Sequence, residues 1–86
     1  MKGSTKLAFD GYRDQGVPPS DFIYAVLTNN LSEAFARADE DNLKDLRDIV
    51  QYVYNYMPAK AWGTPEKVAA WLCHAGLKGV MAEQEA

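Results

Sequence analysis

Eighty-six residues, 48% hydrophobic and 24% charged, suit one folded domain spanning 1–86 and exclude a disordered chain. A net charge of -3 with scattered Lys and Arg leaves no basic run of the kind that tracks nucleic acid, and no apolar stretch approaches bilayer length. Cys73 is the one cysteine, so an intramolecular disulfide is impossible and a reducing, cytoplasmic setting is expected.

In chain order, residues 1–4 read as a frayed end. Thr5 to Gln15 is the first helix candidate, with Leu7, Phe9 and Tyr12 as its apolar contacts and Gly16 as its stop. Gly11 weakens it, since glycine within a helix costs about 1 kcal/mol relative to alanine. Val17-Pro18-Pro19 is firm punctuation. Ser20 then caps a helix whose apolar face is Phe22, Ile23, Val26 and Leu27.

Asn29-Asn30 leaves two readings of residues 21–38. Either one helix runs through, or the chain breaks and Asn30 caps a second helix from Leu31 to Ala38. The short polar side chains and the capping-box spacing from Asn30 to Glu33 favour the break. The second helix would present Leu31, Ala34, Phe35 and Ala38. Asp39 or Asp41 then caps the next element.

Asn42 to Met57 carries the strongest pattern. Leu43, Leu46, Val50, Val53 and Met57 follow a three-four spacing, and Ile49, Tyr52 and Tyr56 broaden that face. A face so wide fits the central helix of a small globule better than a coiled-coil seam. Pro58 stops it, and Trp62 sits in the connector, placed either to cover the core or to anchor a partner. Thr64-Pro65-Glu66 is a clear helix start, with Val68, Ala69, Leu72 and Ala75 as the apolar face, Trp71 at its edge and Gly76 as the stop. Leu77 to Met81 adds a short turn, and 82–86 read as frayed. The expected fold is all-α: a compact bundle of four or five short helices around a central helix.

The chemistry-bearing groups point away from catalysis. From Asp39, the fifth, sixth and twelfth positions are Leu43, Lys44 and Val50, which do not fit a calcium loop. Cys73-His74 supplies two soft ligands where structural zinc takes four, and Cys73 reads as a small packed side chain. Asp45 and Asp48 are interspersed with Lys44 and Arg47, as on a solvated face. No cofactor is expected, and the chain reads as a non-enzyme. A helix-turn-helix reading finds only Lys67 and His74 on the late helix, so direct nucleic-acid binding is disfavoured. The alternatives kept open are a small DNA-binding regulator and a self-associating accessory protein.

The expected activity is therefore protein binding. Asp39, Glu40, Asp41, Asp45 and Asp48 would form an acidic patch able to mimic nucleic-acid phosphates, and Tyr54 and Trp62 would supply aromatic contacts. The segment Gly16 to Leu31, with Ala34 to Asp39, Tyr54 to Pro58 and Trp62 to Trp71, resembles small, largely uncharacterised proteins encoded by phages, prophages and other bacterial mobile elements. Position 30 is often acidic in such proteins; Asn30 keeps the cap but removes a charge. The resemblance implies a small cytoplasmic accessory protein in a phage or plasmid setting; a bacterial nucleic-acid-binding or defence complex, such as a CRISPR complex, is the expected partner by analogy of context. The resemblance implies no catalytic residue, membrane contact or oligomeric state.

Overall fold

The computed structural model describes residues 1–79. Within them the chain is all-α: α1 (Gly3–Gln15), α2 (Asp21–Leu27), α3 (Leu31–Arg37), α4 (Glu40–Lys44), α5 (Leu46–Tyr56), a 3-10 turn (Ala59–Ala61) and α6 (Pro65–Cys73). Residues 76–79 are again helical. Expectations for Met81 and for 82–86 lie outside the described residues.

Four helix starts use one device. Ser20, Asn30, Asp39 and Thr64 each accept a hydrogen bond from the backbone N–H three residues on, at 3.4, 3.3, 2.8 and 3.2 Å. Each cap satisfies a donor that has no partner inside its helix. Asp39, and not Asp41, is thus the α4 cap. The break at Asn29-Asn30 is real. Asn29 takes a left-handed φ of 61°, its N–H donates to Val26, and the Asn30 N–H donates to Ala25. That pair of bonds is a Schellman ending, and asparagine tolerates the left-handed position better than most residues.

The amino-terminal end is more ordered than expected. α1 begins at Gly3, the Met1 side chain packs against the core, and Lys2 Nζ lies 2.7 Å from Asp39. The predicted Asn42–Met57 helix is in turn divided at Asp45, which ends α4 and begins α5. Its buried line is also rotated. Ile49, Val53 and Met57 are in the core, Leu46 and Tyr52 are half-buried, and Leu43, Val50 and Tyr56 are exposed. The apolar arc was wider than the core could cover, so one edge of it faces out.

The core is richest on α2, where Phe22, Ile23, Ala25, Val26 and Leu27 are all buried. Phe9 and Tyr12 meet it from α1, Ile49 and Val53 from α5, and Val68 and Trp71 from α6. Tyr12 is fully buried, and its hydroxyl donates to the Ala61 carbonyl at 2.6 Å. Burial pushes this phenol far above its usual range. The Trp71 indole N–H donates in turn to the carbonyls of Tyr12 and Arg13 at 3.1 and 3.2 Å. Beside this knot, the end of α1 meets the end of α6 backbone to backbone. Gly16 and Gly76 both have positive φ, and a β-carbon on Gly76 would lie 2.9 Å from the Arg13 carbonyl oxygen.

A polar seam joins α1 to α5. The Tyr52 hydroxyl donates to Asp10, Lys6 Nζ lies 2.9 Å from the same carboxylate, and Arg13 approaches it at 3.6 Å. Partial burial pushes the Asp10 carboxyl up, but the bonds from Lys6 and Tyr52 outweigh it and hold the group below its ordinary value.

Two predictions follow the core and the seam. Tyr12→Phe should lower stability by about 1–3 kcal/mol, since it strands the buried Ala61 carbonyl. Gly76→Ala should cost more, because strained φ adds to backbone overlap. Urea unfolding of both variants checks the order. The second concerns pH. The folded Asp10 pKa is depressed, so its contribution is complete above the unfolded carboxylate value and fades as pH falls through the folded one. The urea midpoint should drop as pH falls below the ordinary carboxylate value of about 4, and less steeply in Asp10→Asn.

Candidate functional site

Apolar side chains left outside the core gather around one groove. Its floor is Val26 of α2, Ala34 of α3 and Val53 of α5; its walls are Leu31 on one side and Leu46, Val50 and Trp62 on the other. The open cavity they enclose is about 130 Å³. Leu31 is 67% exposed, Val50 43% and Tyr54 74%. Phe35, one turn beyond Leu31 on α3, is exposed as well.

Helix geometry explains the groove. α3 is seven residues long and buries only Ala34, a side chain too small to carry its neighbours inward. Leu31 and Phe35 therefore stand at its edge instead of packing as expected. α5 faces it with the exposed side of its over-wide arc. Trp62 closes one end and meets Tyr54 edge-on, with ring centroids 6.3 Å apart. Its backbone is held on both sides: Ala61 accepts the Tyr12 hydroxyl, and the Gly63 N–H donates to Leu27 at 2.6 Å. The partly buried Trp62 packs against the core, as one of its two expected roles requires, and also lines the groove.

The acidic residues are placed differently. Asp39 caps α4 and pairs with Lys2, which also lies 3.9 Å from Asp41. The Met1 amino group is 3.4 Å from Asp45. The hydrogen bond from Lys2, more than the Asn42 N–H, holds the Asp39 carboxyl below its usual range. Glu40 and Asp48 are exposed and make no ion pair among the described residues. Three of the five acids therefore lie in ion-pair reach of the two residues that precede α1. Of the seven expected contact residues Trp62 lines the groove, and Tyr54 stands beside it against the Trp62 ring.

A second depression, lined by Asp21, Tyr24, Thr28, Glu33 and Arg37, is polar. Arg37 bridges its two carboxylates at 3.4 Å to Asp21 and 3.3 Å to Glu33. Cys73 is exposed, a correction to its expected packing: it sits at the last turn of α6, about 140° around the axis from Val68. Among the described residues no three His, Cys, Asp or Glu side chains are grouped to hold a metal, and no helix is long and apolar enough to cross a membrane. Comparison with known protein families, curated proteins and solved structures finds no match to this chain.

Sequence reasoning marked Leu31, Phe35 and Val50 as core. Their one outward signal was excess: more apolar positions than a chain of this length can cover. Because these side chains are exposed, Leu31→Ser and Tyr54→Ala should each change stability by no more than about 1 kcal/mol. Val53→Ala, a substitution at the groove floor, should cost about 2–4 kcal/mol. Urea unfolding of the three variants checks this separation between wall and floor.

Proposed function

We propose that this chain is a small, non-enzymatic protein-binding module whose contact face is the groove between α3 and α5. The observation that carries the reading is an open cavity floored by core residues and walled by exposed Leu31 and Val50 and by Trp62, with exposed Tyr54 against the Trp62 ring. Soluble monomers seldom leave such apolar surface gathered in one place, and Tyr and Trp concentrate binding energy at interfaces. A rigid wall adds to this, since ordering a side chain before binding lowers the entropy lost on binding.

The acidic residues take a lesser part than phosphate mimicry would require. Glu40 and Asp48 steer a partner at long range, while Asp39, Asp41 and Asp45 serve the fold. The finer form of the proposal places the partner in the cytoplasm of a bacterium hosting a mobile element, as a nucleic-acid-handling or defence complex such as a CRISPR effector. That form rests on the resemblance of short sequence phrases alone.

Affinity capture from a host lysate, followed by reconstitution with the purified partner, tests the reading. Binding should saturate and should weaken about tenfold or more in Val50→Asp, a variant first shown to be folded by circular dichroism. Saturable binding that Val50→Asp leaves unchanged would move the contact face elsewhere, and absence of any saturable partner would overturn the proposal.

A further inference from the structure

The groove has one charged neighbour whose state is informative. Arg47, Val50 and Tyr54 follow an i, i+3, i+7 spacing on α5, which keeps them within about 60° of one another around its axis. All three are exposed. The chain has three arginines. Arg13 pairs with Asp14 at 2.8 Å, and Arg37 pairs with Glu33 at 3.3 Å. Arg47 alone makes no ion pair or hydrogen bond among the described residues. Asp48, next in sequence, projects about 100° away around the helix.

We propose, building on the protein-binding reading above, that the groove receives an amphipathic α-helix of a partner protein carrying a carboxylate that meets Arg47. Its walls are themselves helices, so they offer ridges at three- and four-residue spacing for a third helix to pack into. The described residues contain no sheet edge to template an extended strand. A helix laid over Val50 and Tyr54 removes water from the adjacent guanidinium. Leaving that charge unpaired is costly, whereas Asp or Glu meets its planar fork with two parallel hydrogen bonds. α5 is eleven residues long, or about 16 Å, so the occupant contributes about three turns. Its apolar residues recur at i, i+3 or i+4, and i+7, with the acid on the flank of that stripe.

A display library of helical peptides, with an apolar stripe and randomised flanking positions, tests this against the whole protein. Peptides enriched on the wild type and lost on Val50→Asp should be helical when bound and should carry Asp or Glu at one flanking position. Arg47→Glu should weaken them about tenfold or more, and replacing the peptide acid by Lys should restore binding to Arg47→Glu alone. Peptides without an acidic preference, or indifferent to Arg47→Glu, would overturn the charge pairing. Failure to enrich any peptide above Val50→Asp would overturn the helical occupant. So would a concentration-dependent dimer abolished by Val50→Asp, which assigns the groove to a second copy. Should the peptides fail while a captured partner still depends on Val50, the helix inference falls and the protein-binding reading stands.

Discussion

Tyr12 is the residue on which the rest of the molecule depends. Two parts of the chain distant in sequence converge on it: its hydroxyl holds the 3-10 turn at Ala61, and its carbonyl accepts from Trp71 on α6. A phenol this deeply buried is tolerable only with its hydrogen bond made. The bond therefore fixes where the turn lies relative to α1. The close passage of Gly16 and Gly76 locks the same two ends, at a separation that any side chain would prevent. A small chain has little apolar surface to bury. Satisfied polar contacts inside its core thus set the geometry, while apolar burial, richest on α2, supplies the driving force.

That constraint reaches the groove through the backbone. Ala61 and Gly63 flank Trp62, and each is anchored to a different helix, the first to α1 through Tyr12 and the second to the end of α2 through Leu27. The indole wall is consequently held by the core itself. Tyr54 meets this fixed ring from α5, so aromatic surface at that end is ordered before any partner arrives. The opposite end is built on different terms. Leu31 sits just after a break made by asparagine, on a helix that sends only Ala34 inward. One side of the groove is thus held by hydrogen bonds to two helices, and the other by a short helix seated on α2 through Ala34.

Local chemistry made much of the fold legible in the sequence. Caps at Ser20, Asn30 and Thr64, the proline at the start of α6 and the helical spacing on α2 are contacts within a few residues, and each is where its residue type implies. The phase of α5 was not legible in the same way. Seven apolar or aromatic side chains wide enough to bury on either edge do not say which edge wins; that is decided by where α1 and α2 lie. The Tyr12 and Trp71 hydrogen bonds span 49 and 59 residues, and no local pattern announces them. The acidic run was visible as charge, but the ion pair of Asp39 with Lys2 spans 37 residues, and no local pattern announces it.

The division at Asp45 links these observations. An uninterrupted helix from Glu40 to Tyr56 would carry its charged start and its apolar arc on one straight axis. Asp45 instead ends one helix and opens the next, which lets α4 turn toward Lys2 and Thr5 while α5 follows the core. α4 buries no side chain of its own, so polar contacts to α1 are what hold it. With α4 drawn to that side, the outer edge of α5 at Val50 and Tyr54 is exposed among the described residues. The surface left bare there sets Val50 and Tyr54 beside polar Arg47 and Gln51, with Asn29 and Asn30 lining the groove itself.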